Sequence, residues 1–170
     1  MDVQSVLSLS RVTQVRQLKA EISKLKSENM RLHDENASLL AHLDMAIAAA
    51  VDLSLVGEGG RFIIIDGWNM ILGARKRAAD RKELLGQVRE LVAQRPQDFV
   101  WIVYDGPKRS SVSEGRIRVS YTGGTGPHRA DKLVCDFLRM ARLRADTTKI
   151  ELRTSDIDFL KEANRILNKA

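Results

Sequence analysis

Apolar positions recur along this chain with two different periods, and the change falls near residue 57. In residues 15–43, "VRQLKAEISKLKSENMRLHDENASLLAHL", Leu18, Leu25, Leu32 and Leu39 return every seven residues. Taking these as heptad position d places Val15, Ile22, Asn29, Asn36 and Leu43 at a. A 3.5-residue repeat held over four heptads predicts a left-handed coiled coil. β-branched residues at a with Leu at d favour two strands. Asn at a favours parallel, in-register pairing, because each buried amide must meet its partner amide. Glu21 at g and Lys26 at the following e form a favourable crossing pair in such a dimer. A DNA-binding zipper needs a Lys/Arg-rich helix just upstream; "MDVQSVLSLSRVTQ" offers only Arg11. The segment therefore reads as an assembly device, a parallel homodimer. The helical pattern continues through "DMAIAAAVDLSLV" until "GEGG" (57–60), read as a flexible joint between an N-terminal helix, 1–56, and a domain, 61–170.

Beyond the joint the pattern shortens. Four apolar segments follow: "RFIIID" (61–66), "FVWIVYDG" (99–106), "RIRVSYT" (116–122) and "KIELRTSD" (149–156). Helical patterns lie at about 75–94, 128–144 and 157–168. The first two segments are apolar at successive positions, as strands covered on both faces must be. Strands alternating with helices predict an α/β fold with a mainly parallel sheet of at least four strands. Only 105–116 links the second and third strands, about the minimum for a parallel crossover, so their pairing stays open.

Three of these strands end at a carboxylate, and the third is followed by one. Asp66 closes the first, Asp105 the second, and Asp156 with Asp158 the fourth, while Asp131 stands in the first turn of the helix after the third. In an open parallel sheet, ligands bind at the carboxyl ends of the strands. Each Asp alone is explained as a turn or helix cap; together they would crowd negative charge at one edge, which calls for a cation. Hard oxygen ligands in that arrangement suit Mg²⁺ or Mn²⁺.

Charge sharpens the picture. The chain is +6 overall, but residues 1–58 carry 6 Lys+Arg against 8 Asp+Glu, and residues 59–170 carry 22 against 14. Such a basic domain is the footprint of a nucleic-acid binder. A cationic surface around a divalent-metal site implies a phosphodiester substrate. Candidate backbone contacts are Arg75, Lys76, Arg77, Lys108, Arg109, Arg116, Arg118 and Arg129. The loop "GGTGPHR" lacks the Gly-Lys-Ser/Thr ending of a P-loop and reads as a loop beside the site, with Tyr121 and His128 touching RNA. Trp68 has two readings, a base-stacking platform or a packing residue; Trp101, inside a strand, is expected in the core. Cys135, the only cysteine, sits in an apolar helical pattern, excludes an internal disulfide and fits a reducing cytoplasm. No apolar run is expected to span a membrane, and the N-terminus carries no signal-peptide pattern.

At this point "IIIDGWNMI", "WIVYDG", "VSYTGGTGPHRADKLVCDFL" and "LRTSDIDFLKEA" resemble, in order and spacing, the YacP-type NYN domain, a branch of the PIN-like nucleases. The resemblance covers about residues 61–165. It implies a PIN-like three-layer sandwich and metal-dependent endoribonuclease activity on RNA, including translated or ribosome-associated messages. It also implies that Asp66, Asp131 and Asp156 bind Mg²⁺ or Mn²⁺, that Asn69 supports the first of them, and that Asp105 and Asp158 lie at the rim. The sequence departs from the family pattern where relatives read "GETADD": here "GPHRADK" puts His128 before and Lys132 after Asp131. That exchange opens an alternative, a catalytically weakened RNA- or ribosome-binding adaptor, or leaves Lys132 to neutralise substrate phosphate. The sequence also ends without the last strand of many relatives, so sheet closure is expected to be lost or supplied by the dimer partner.

Overall fold

The computed structural model describes residues 3–71, 78–124, 126, 128–144 and 147–168, with the backbone alone for 3–11, 78, 79 and 144. The elements are α1 (Val3–Ser54), β1 (Phe62–Asp66), α2 (Gly67–Met70), α3 (Ala78–Gln94), β2 (Phe99–Tyr104), β3 (Arg109–Glu114), β4 (Ile117–Thr122), α4 (Arg129–Arg144), β5 (Ile150–Arg153) and α5 (Ile157–Asn168). A 3₁₀ turn at Thr147–Lys149 leads into β5. The chain divides into two compact units, Met1–Ala41 and His42–Ala170.

The first unit is helix alone. Leu18, Leu25, Leu32 and Leu39 are all exposed, with Leu18 at 57%. An Arg31–Glu35 pair one turn apart adds the usual small support of exposed i,i+4 charges.

In the second unit, five strands form one sheet in the order β3-β4-β2-β1-β5. β5, β1, β2 and β4 run parallel. β3 is antiparallel to β4 and joins it through a hairpin at Gly115, whose φ of 57° supplies the positive dihedral that such a tight loop requires. This settles the short 105–116 link: the chain crosses to β4 by way of an extra edge strand instead of a helix. β1 and β2 are buried at every position because helices cover both faces. On one face, Phe62, Ile64, Trp101 and Val103 pack with α4 (Leu133, Phe137), α5 (Phe159, Ala163) and the end of α1 (Ala46, Ala49, Leu53). On the other, Ile63, Ile65, Val100 and Ile102 pack with Leu84 and Val88 of α3. At about 25 cal/mol per Å², burial of these aromatic and aliphatic side chains is the main stabilising term. Trp101 is in the core as expected, its indole N–H donating to Ser120 Oγ at 3.0 Å. Cys135 is buried too, and burial pushes its thiol up to about 11, which suits a packing residue and not a nucleophile.

Two sequence expectations change. The compact unit begins at His42, so the last turns of α1 belong with the sheet and not with an N-terminal segment ending at residue 56. These turns are fastened by a bidentate ion pair from Arg118 of β4 to Asp52, and by Arg116 donating to the Leu55 carbonyl. The "GEGG" joint is itself tied, Gly57 N–H donating to the Gln97 carbonyl at 3.2 Å. The second change concerns hydropathy. Within Val12–Ser54 an 18-residue window reaches a mean hydropathy of 1.4, enough by length and composition to cross a membrane, and a third of that window is buried in the structure. Burial against the sheet accounts for that buried third.

Candidate metal centre at the carboxyl edge of the sheet

The chain steps from β1 through α3 to β2 and on to β4 in one direction, then returns through α4 to β5 on the other side of β1. The order therefore reverses between β1 and β5. In α/β sheets the crevice outside the strand ends at such a reversal is where ligands bind. Asp66 closes β1 there, and Thr154–Asp156 follows β5.

Asp66 is 5% exposed and caps α2. Its carboxylate accepts from Asn69 N (3.4 Å), Asn69 Nδ2 (2.6 Å) and Thr154 Oγ1 (3.1 Å). The support expected from Asn69 is thus observed. Gly67 between them is dictated by space: a Cβ there would overlap the ring of Tyr104. Thr154 and Ser155 fall within the "TSDID" motif, which assigns them no role. Thr154 bridges Asp66 and the backbone N–H of Asp156 (3.1 Å), and Ser155 Oγ donates to the Asn69 carbonyl (2.9 Å), locking the β5 exit to α2.

Asp156 caps α5, with Oδ1 accepting from the N–H groups of Asp158 (2.9 Å) and Phe159 (3.0 Å). Asp131 lies in the first turn of α4 and accepts at Oδ2 from His128 Nδ1 at 2.9 Å. His128 precedes the helix at φ 55°, a left-handed conformation that residues with a Cβ seldom adopt. Burial raises the Asp131 carboxyl above its ordinary value. The His128 bond opposes this, and the charges of Asp66 and Asp156 add to the rise. The same hydrogen bond to Asp131, with its charge, raises the His128 imidazole.

Donor atoms of His128, Asp131 and Asp156 all lie within 4.8 Å of one another. They line an open cleft of about 400 Å³ whose rim carries Lys132 and Arg139. The donor set fits a divalent cation: Asp156 keeps Oδ2 clear of the helix cap, and the Asp66 and Asp156 charges that add to the burial-driven rise of Asp131 are what a cation would offset. Asp66 lies beside the group without joining it. Its three hydrogen bonds leave about one of a carboxylate's four or so acceptor positions.

Other expected site residues are placed elsewhere. Asp105 Oδ1 accepts from Thr122 Oγ1 (3.1 Å) and from the N–H of Ala130 (2.8 Å), so it caps α4 from a neighbouring strand and is not one of the three clustered donors. Asp158 is 93% exposed at its carboxyl and pairs with Lys161. Arg116 and Arg118, expected on RNA, are the residues that hold α1. Arg109 donates to the Thr122 carbonyl (3.4 Å), and Arg129 packs against Gly124. Arg75, Lys76 and Arg77 lie outside the described residues. Lys108 and Lys132 do line clefts at this edge. His128, expected only to touch RNA, is the nitrogen donor of the cluster; its place directly before an Asp-containing helix start was the available signal.

Comparison of the chain with family models, with curated proteins and with solved structures returns no match.

Proposed function

We propose that this protein is a metal-dependent endoribonuclease of PIN-like architecture, dimerised through residues 15–43, that hydrolyses RNA phosphodiester bonds in the cytoplasm. The observation carrying this reading is the His128–Asp131–Asp156 donor group beside buried Asp66, at the reversal point of the sheet in a basic domain. The helix-covered sheet and the gathering of the "DGWN", "AD" and "TSDID" motifs at one edge support the YacP-type NYN resemblance. One imidazole nitrogen among carboxylate oxygens suits Mn²⁺ better than Mg²⁺. When bound, the ion would supply Lewis acidity to the scissile phosphate and acidity to the attacking water, giving 5′-phosphate and 3′-hydroxyl ends.

The chain's own residues do the rest. Asn69 and Thr154 fix the Asp66 carboxylate in one orientation, so it needs no rearrangement when substrate arrives. With an ion bound, His128 would help hold it, giving up its Asp131 hydrogen bond. Lys132 and Arg139 draw the phosphate toward the acidic wall. The exposed leucine stripe of the first unit supports a parallel homodimer, since a second copy would cover it.

Titration of Mn²⁺ into the full chain tests the site. Asp131→Asn and Asp156→Asn should each weaken binding at least about tenfold; unchanged affinity in both removes the metal centre. The adaptor reading is favoured by one feature, the His128–Asp131 bond that already pairs two of the three donors beside Lys132. It predicts equal RNA binding in Mn²⁺ and EDTA with no cutting.

A further inference from the structure

On the α3 side of the same strand ends lies a second cleft, open and about 280 Å³ in volume, with Trp68, Arg81, Lys108 and Tyr121 on its walls. We propose that it is a nucleobase subsite, which takes one unpaired base of the RNA strand whose phosphate lies at the acidic cleft. The inference rests on the nuclease reading for its substrate, and on its own geometry for the rest.

That geometry is a rigid aromatic wall with a cation against it. Tyr104 is buried, and burial pushes its phenol up to about 12, so it stays neutral and serves as a floor. Tyr121 stacks on it with centroids 5.1 Å apart and planes 18° from parallel, while Trp68 meets it edge-on at 5.0 Å. The Trp68 indole N–H donates to the Asp105 carbonyl at 2.7 Å, which fixes the plane of the ring. Arg81 lies 5.6 Å from the Trp68 centroid and 6.0 Å from that of Tyr121, and donates to the Tyr121 hydroxyl at 3.3 Å.

Packing alone explains Tyr104. It does not explain why Trp68 and Tyr121 stay half-exposed with a guanidinium laid against them. Aromatic faces beside Arg are what bases of single-stranded RNA stack on, and such stacking tolerates any sequence. Lys108, exposed on the same rim, suits the adjoining phosphate. The two clefts are joined by two short links, one along the chain and one through hydrogen bonds. Trp68 is two residues from Asp66, and Asp105, which holds Trp68 through its carbonyl, caps the helix bearing Asp131 through its carboxylate. A base seated here places its neighbouring phosphate toward the acidic wall, and a base paired in a duplex cannot enter without leaving its stack.

The test measures binding of the full chain to labelled single-stranded RNA in EDTA, where no metal-dependent cutting occurs, against the same strand carrying abasic positions. Wild type should bind the abasic strand about tenfold more weakly, and Trp68→Ala should bind both strands equally at the weaker level, with Trp68→Phe restoring most of the difference. Tyr121→Leu, at the other exposed ring of the cleft, gives the same reading should Trp68→Ala fail to fold. Equal wild-type affinity for both strands overturns the subsite. So does a folded Trp68→Ala that still discriminates. Cutting by a wild type that ignores bases would leave the nuclease reading standing and remove this one. Base-dependent binding lost in Trp68→Ala, without cutting in Mn²⁺, would do the reverse.

Discussion

Asp66 shows how much one carboxylate depends on its neighbours. Its position at the end of β1 and the asparagine three residues on are both visible in "DGWN", because a strand end followed by a capped turn has a recognisable spacing. Thr154 stands in the "TSDID" motif, yet its bond to Asp66 is not visible there. A hydroxyl two residues before a capping Asp is ordinary helix-start chemistry, and only the β1–β5 pairing brings it to 3.1 Å from Asp66. Since Asn69 and Thr154 act by orienting Asp66, Asn69→Ala should lower the rate of RNA cleavage roughly 10- to 100-fold. RNA affinity in EDTA and the melting temperature should stay close to wild type. A cleavage rate unchanged by Asn69→Ala would leave that hydrogen bond without a role in catalysis.

Elements were legible to the degree that burial wrote them into the sequence. β1 and β2 are apolar throughout because both faces are covered, and they were plain. β3, "RSSVSE", is exposed at every position and held by its pairing to β4 and an exposed Glu114–Arg89 ion pair, so nothing in its pattern marks a strand. The helical period of α1 is continuous, yet periodicity does not say which surface a helix meets. Met45, Ala46, Ala49 and Leu53 meet the sheet layer. Arg118, basic and therefore assigned to RNA, is instead bound to Asp52 of that helix. Asp52→Ala should leave a half-buried guanidinium unpaired and cost about 2–4 kcal/mol in chemical denaturation.

The start of the same helical stretch also sets a pH limit. His42 is 7% exposed with both ring nitrogens unpartnered. Burial lowers it below the ordinary 6.5, and Arg129, Arg109 and Lys132 add to this while Asp136 opposes. The unfolded chain then takes up a proton first, so stability holds above pH 6.5 and falls as pH drops below it. His42→Leu should flatten that acid limb in pH-dependent denaturation; an unchanged limb assigns it to other groups.

At the scale of the whole molecule, the proposed enzyme is a pair, argued from an uncovered leucine stripe and a basic domain, that holds one RNA strand at two places. Periodicity and charge carry both halves of that proposal, whereas the division at residue 42 was not legible, because the helix crosses it without a break. Replacing Leu25 and Leu32 by Lys should convert a dimer to a monomer in sedimentation, with the second unit still folded; a dimer that persists places the interface elsewhere. The central claim concerns chemistry, and one assay reaches it: cleavage of end-labelled single-stranded RNA by the full chain, with Mn²⁺ or EDTA, for wild type and Asp66→Asn. The account predicts cutting to 5′-phosphate ends in Mn²⁺, none in EDTA, and background rates for a folded, RNA-binding Asp66→Asn. Cutting that survives EDTA, or an Asp66→Asn protein as fast as its parent, would contradict it.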